Sequence, residues 1–264
     1  RKKKESSVSG AARLVREGRA QGSVSAGNTG ATMATAMFQW RQLPGVSRPA
    51  IVAVMPTPKR PTFILDVGAN VDCKPRHLFQ FALMGAVYAH YVYHRRNPRV
   101  GLLSIGEEEA KGNELVFETQ KLLRQSTLNY RGNAEGRDLF RGTFDVVVCD
   151  GFVGNVTLKS CEAVAEFIMH HLKHELNRNI VSQLGALAMM PAFKSFRKSI
   201  DVAEYGGGPL LGLNGTCIIC HGSSGPLAIK NAIGVASDQV AAKVNEHIIE
   251  TVKINTDRLA LAPA

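Results

Sequence analysis

The residues best equipped for chemistry stand where apolar runs stop. In VVVCDGFVGNVTLK the run 146–149 ends at Asp150 and Gly151, and Gly154 and Asn155 follow. The same pattern, a buried run and then a glycine-bearing polar loop, recurs at Gly27, Gly68, Gly106, Gly132 and Gly222. Glycines let backbone N–H groups approach a ligand closely, and the start of a following helix favours an anion. In open α/β sheets, ligands bind beyond the carboxyl ends of the strands. These loops also hold polar side chains: Asn28 and Thr29 in GNTG, Asn70 in GANVD, Lys111 and Asn113 in EEEAKGNE, and His221 in CHGSS. Each loop taken singly reads more readily as a simple turn. Taken together, they read as one shared site for a phosphate-like or carboxylate ligand.

Several chemistries have no motif to support them. There is no G-x-S-x-G elbow, no G-x-x-x-x-G-K-[ST] loop and no G-x-G-x-x-G fingerprint. His170 and His174 fall on one helical face in HHLKH, but the glutamate of H-E-x-x-H is missing, so no metal is expected. Asp66, Asp72 and Asp150 follow strands, where an aspartate commonly fixes a loop by accepting N–H bonds. Cys217 and Cys220 form a C-x-x-C within an apolar strand, where residues three apart face opposite sides. All five cysteines are expected as reduced thiols. What remains is a site rich in donors and lacking an obvious nucleophile. That suits a reaction in which a bound oxyanion, such as inorganic phosphate attacking an activated acyl group, is itself the nucleophile. No cofactor is expected.

These loops need a sheet to position them. The runs AIVAVMP, TFILDVG, RVGLLSIG and FDVVVCDG suit strands buried on both faces, and LNYRG and TCIICHG add two more. Helical patterns alternate with them: near the N-terminus, after GNTG, from Pro75 to about His94, before Arg124, from about Val156 to Arg178, and from Pro226 to about Ile254. The segment EYGGGPLLGLNG reads as a glycine-rich loop. The alternation predicts a single α/β domain over residues 1–264 with a largely parallel sheet. The chain has 264 residues, 45% of them hydrophobic, and no apolar run reaches the ~18 residues of a membrane span. Nothing at the start resembles a signal peptide, so a cytoplasmic location is expected. The net charge of +10 calls for an acidic partner or surface. With 6% aromatics and no zinc-finger or RNA-binding motif, nucleic acid is not the expected one.

Several stretches together resemble one family. SAGNTGA, LDVGANVDCKP, VGLLSIGEEEAKGNEL, GNAEGRDL, VVVCDGFVGNVTLK, EYGGGPLLGLNG and HGSS with AIKNAI are similar, in order and spacing, to the phosphate acyltransferases of the PlsX type. The likeness runs from Lys2 to the final helix. It implies a Rossmann-like fold related to isopropylmalate dehydrogenase and phosphotransacetylase. It also implies a homodimer, and acyl transfer from acyl carrier protein to inorganic phosphate, giving acyl phosphate for phospholipid synthesis. The family's association with the inner face of the cell membrane implies the same here. The resemblance departs in two places. The strand and DAMGGD loop with which the family normally begins are not in the sequence; the expectation is a shortened sequence whose missing front forms one wall of the phosphate site. Ile219 stands where many members carry lysine, which argues against a required lysine there.

In the context of these motifs, Lys111 is the first candidate for holding phosphate or the thioester oxyanion as a point charge. Asn155 is the second, as a neutral donor at a helix start, with simple capping the competing reading. His221 would orient phosphate or accept its proton, or be a buried structural histidine. Gly27, Asn28, Thr29, Gly30, Asn70, Gly112, Asn113 and Gly154 are the expected phosphate and substrate contacts. Glu107, Glu108 and Glu109 read as a solvated run. Glu135 and Arg137 read as a structural pair, with Arg137 a weak ligand candidate.

Residues 176–200 read as a protruding helical tip, interrupted at Pro191. Leu176, Ile180, Leu184 and Leu187 fall at helical spacing, and ALAMMPAF adds Met189, Met190 and Phe193 beside Lys194, Arg197 and Lys198. This is either a dimer-packing helix pair or a tip that dips into an anionic bilayer with its cations at headgroup level; the two are compatible.

Overall fold

The computed structural model of the chain describes residues 6–200 and 202–261; the side chains of 197, 198, 200, 202 and 203, including the expected headgroup cations Arg197 and Lys198, lie outside the description. Among the described residues eight strands form one sheet: β1 (Gly22–Ser25), β2 (Ala50–Met55), β3 (Thr62–Leu65), β4 (Arg99–Leu103), β5 (Asn129–Ala134), β6 (Val146–Val148), β7 (Gly208–Leu211) and β8 (Thr216–Ile219). Their order is β1-β8-β7-β2-β3-β6-β4-β5. The pairs β1·β8, β3·β6, β6·β4 and β4·β5 are parallel. The pairs β8·β7, β7·β2 and β2·β3 are antiparallel.

The central strands alternate strictly between two cores. Phe63, Leu65, Val146 and Val148 join one cluster, and Ile64 and Val147 join the other. Side chains on a strand point to alternate faces, so covering both faces turns the sequence into an unbroken apolar run. The first cluster is filled by α3 (Pro75–Tyr91), which is buried without interruption from Leu78 to Ala89, with α4 (Glu114–Gln125) and α9 (Val244–Leu261) against it. The second is covered by α1 (Ser7–Arg16) and α2 (Thr29–Trp40), joined by a 2.8 Å bond from the Trp40 indole N–H to the Ala12 carbonyl.

Three readings of the sequence need correction. The glycine-rich EYGGGPLLGLNG contains strand β7, whose pairing with β2 and β8 overrides its poor intrinsic preference. The single terminal helix is two, α8 (Pro226–Ala241) and α9, separated at Lys243 with φ of 48°. The helix after β6, α5 (Gly151–Leu176), starts five residues before Val156. Asp150 caps it, its Oδ1 accepting from the N–H groups of Phe152 and Val153 at 2.9 Å. An N-cap aspartate followed by glycines reads as a loop in sequence but is a competent helix start.

Beyond its first turns α5 leaves the body of the molecule. At 26 residues it is about 39 Å long by the rise per residue, yet Gly151 and Gly154 are its buried residues. It leads into α6 (Ile180–Ala188) and α7 (Met190–Ile200), which begins at the expected Pro191 interruption. Leu184, Leu187, Met189 and Met190 are exposed on this arm, and Phe193 is half-buried. Among the described residues, no helix is long and apolar enough to cross a membrane.

Candidate active site

The neighbours β3, β6 and β4 are parallel, and their carboxyl ends open on one edge of the sheet. At about 4.8 Å per strand, the three ends lie within roughly 10 Å of one another. A buried carboxylate organises the first of them. Asp66 Oδ1 accepts from the N–H groups of Ala69 at 2.9 Å and Ile51 at 3.2 Å. Its Oδ2 accepts from the backbone N–H of Asn70 at 2.7 Å and from the Asn70 side-chain amide at 2.8 Å. Burial raises the Asp66 pKa, and the donors from Ala69, Asn70 and Ile51 oppose that rise.

The second strand end packs directly on this loop. The Gly151 N–H donates to the Asn70 carbonyl at 2.7 Å. A Cβ at Gly151 would stand 2.6 Å from that carbonyl oxygen, and one at Gly154 would overlap the Asp66 carbonyl oxygen. The two glycines in DGFVG therefore serve close approach: α5 begins on top of the β3 loop. Asn155, the next residue, is exposed, and its amide stands over Gly68, 3.5 Å from the place a Cβ would occupy. Asp150, not Asn155, caps the helix, so the capping reading of Asn155 falls and its side chain is left without that work.

The third end carries Lys111. Ser104, just beyond β4, donates its Oγ to the Lys111 carbonyl at 3.0 Å, which folds the loop back to the strand end. Asn133 is buried in β5, and its amide N–H groups donate to the carbonyls of Glu108 at 2.9 Å and Lys111 at 3.0 Å. Gln120 in turn donates to Asn133 Oδ1 at 2.9 Å. The Lys111 side chain is exposed, lies over Gly106, and forms no ion pair among the described residues. Two nearby acids are occupied elsewhere, Glu107 with Arg137 at 3.0 Å and Glu109 with Arg124 at 2.6 Å, while the Glu108 carboxylate lies over Gly106 beside the Lys111 side chain without an ion pair of its own among the described residues. Arg137 also holds Glu135 at 2.8 Å, as the structural pair expected of them.

No thiol here is ready to act as a nucleophile. Burial, with the Asp66 carboxylate nearby, pushes the Cys73 thiol up to about 12, and burial pushes Cys149 well above its ordinary value. All five cysteines are free, and Cys217 and Cys220 sit in different cores. Among the described residues, no group of three or more His, Cys, Asp or Glu side chains could hold a metal ion.

The structure does not gather every expected residue. Because β7 and β2 reverse the chain's sense, β1 and β8 run opposite to β3, β6 and β4 in the sheet. Gly27, Asn28, Thr29, Gly30 and His221 therefore leave by the other edge, and the residue beside Gly27 is Gly222, 3.7 Å from its would-be Cβ. The shared site expected of all the loops is, within this chain, two groups of loops. Three asparagines also have structural work. Asn28 caps α2 by accepting from the Ala31 N–H at 3.0 Å, and Asn113 caps α4 by accepting from the Val116 N–H at 3.0 Å. The Asn70 amide donates to Asp66 and to the Pro49 carbonyl at 2.7 Å, so it positions the loop instead of reaching outward. His221 is exposed, not buried, and its Nδ1 bonds to Ser223 Oγ at 2.6 Å. Ser104, Gln120 and Asn133, which shape the Lys111 loop, stand out in no sequence motif, because their partners are backbone carbonyls and one another.

Comparison with known proteins gives the family and the fold. The model of the family described as "Fatty acid synthesis protein" matches residues 1–247. The phosphate acyltransferase of Syntrophotalea carbinolica is 52% identical over 260 residues, covering 98% of this chain and 75% of that protein. The phosphate acyltransferase of Pelobacter propionicus is 55% identical over 255 residues, covering 97% and 74%. Among solved structures, a phosphotransacetylase from Streptococcus pyogenes shares the fold, with a TM-score of 0.59 and 19% identity over 88% of this chain and 67% of that one. The chain belongs to the fatty acid synthesis protein family and stands among its phosphate acyltransferases.

Proposed function

We propose that the chain transfers an acyl group from acyl carrier protein to inorganic phosphate, at the corner formed by the ends of β3, β6 and β4. The observation that carries this reading is Asn155 standing unspent over Gly68, one strand away from the loop that presents Lys111, with the nearby thiols protonated. Phosphate binds against the loops, and one of its oxygens attacks the thioester carbonyl. The new bond joins that oxygen to the acyl carbon. Lys111 and Asn155 stabilise the charge that develops on the carbonyl oxygen. The carbon–sulfur bond then breaks, and the phosphate proton ends on the departing carrier thiol. A thioester is reactive enough to need no covalent enzyme intermediate. The acyl phosphate would feed phospholipid synthesis. The test is phosphate-dependent release of thiol from acyl carrier protein; release in wild type without added phosphate, or none with it, refutes the reading. A coenzyme A-dependent phosphotransacylase would instead prefer the coenzyme A thioester in the same assay.

The exposed apolar residues Phe152, Val153, Val156, Val164, Phe167 and Ile168 on α5 support a homodimer packed along that helix. The α6–α7 tip supports peripheral binding to the anionic inner face of the cell membrane, with Leu184 and Leu187 inserted and Lys194 near the headgroups. Leu187→Glu is expected to lower co-sedimentation with anionic liposomes by about tenfold or more, given the cost of burying a charge, while turnover of soluble thioester is kept. Unchanged sedimentation would remove the tip from membrane binding.

A further inference from the structure

Next to the Asn155 corner lies a group of cations that form no ion pair among the described residues. Arg48 is on the approach to β2, and Lys74 and Arg76 are at the start of α3. Hydrogen bonds lock these two segments together. Gln80 of α3 accepts from the Ser47 N–H and donates to the Gly45 carbonyl, both at 2.8 Å. On the other side, the Asn70 amide donates to the Pro49 carbonyl at 2.7 Å. Arg48 sits between these two anchor points, so it is held between the first turns of α3 and the loop that follows β3. Arg48, Lys74 and Arg76 are all exposed, and none forms an ion pair among the described residues. Their closeness registers at His77, whose pKa is lowered by burial and then by these three charges. Val71, 63% exposed, and the exposed Asp72 lie in the loop between Asn70 and Lys74, so three cations stand against one carboxylate there.

We propose that Arg48, Lys74 and Arg76, grouped at the start of α3 beside the loop that carries Val71, form the docking surface for the acidic carrier protein that delivers the acyl thioester to Asn155 and Lys111. This rests on reading the site as a thioester acyltransferase. Like charges held together repel, and an acidic partner relieves that repulsion while steering its own approach. The cations are exposed and spread over two segments with an apolar side chain on the adjoining loop, which is the pattern of a protein interface. A site for one small anion needs convergent, desolvated donors instead. The patch borders the loop of Gly68, over which Asn155 stands, so a flexible pantetheine arm from a protein docked there can reach the corner.

The experiment compares wild type with the Arg48→Glu/Lys74→Glu/Arg76→Glu variant and with Arg48→Glu alone. Direct binding of acyl carrier protein is expected to weaken by about tenfold or more in the triple variant, and by a smaller factor in the single one. KM for the acyl carrier thioester should rise in step, with kcat unchanged, and the salt dependence of kcat/KM should flatten. KM for phosphate and turnover of an uncharged acyl N-acetylcysteamine thioester should stay as in wild type. Unaltered carrier binding, or equal losses with both thioesters, overturns the docking surface. Wild type that binds the carrier through these residues yet releases no thiol leaves the surface standing and overturns the acyltransferase reading instead.

Discussion

Lys111→Ala is expected to lower kcat by about 100- to 1,000-fold, the loss typical when one donor to a developing oxyanion is removed. Asn155→Ala should fall in the same range. Both side chains are exposed and neither supports the fold through a side-chain bond, so thermal unfolding should be unchanged. Lys111→Arg separates point charge from shape, since guanidinium keeps the charge but not the compact ammonium. If the two residues act on one oxyanion, the double variant will lose much less than the product of the single losses. Steady-state kinetics with acyl carrier thioester and phosphate supply the measurement. A loss confined to KM for phosphate would move Lys111 from the transition state to ground-state binding, and unchanged turnover would remove it from the site.

Gly154→Ala is expected to cost about 3 kcal/mol, the upper end of what overpacking usually costs, and to abolish activity at moderate temperature. The added methyl has nowhere to go. It would meet the Asp66 carbonyl oxygen and come within 2.9 Å of Cys149 Sγ, so α5 would have to lift off the β3 loop. Lifting α5 also moves Asn155 away from Gly68. Gly185→Ala is the matched control: that glycine lies in α6 with nothing within 4 Å of its would-be Cβ, and the change should be neutral or stabilising by about 0.5–1 kcal/mol. Urea titration reads both. A Gly154→Ala protein as stable as wild type would mean the helix does not rest on that carbonyl.

Most of the strands, and the places where they end, can be read from the amino-acid order alone. TFILDVG and VVVCDG are legible because a strand covered on both faces must be apolar throughout, and the glycines after them are legible because close approach tolerates nothing larger. The motifs around Lys111 and Asn155 were legible too, and they were enough to mark the family. The sequence did not reveal β7, whose GPLL has little strand preference of its own and exists because β2 and β8 flank it. Nor did it reveal that Asp150, not Asn155, caps α5, or that the Asn70 amide is spent on Pro49 and Asp66. Which loops meet is fixed in three dimensions. Strand direction is not written in any local pattern; it follows from how distant segments pair. The antiparallel pairings of β2 and β7 therefore divide loops that look alike in sequence between two edges of one sheet.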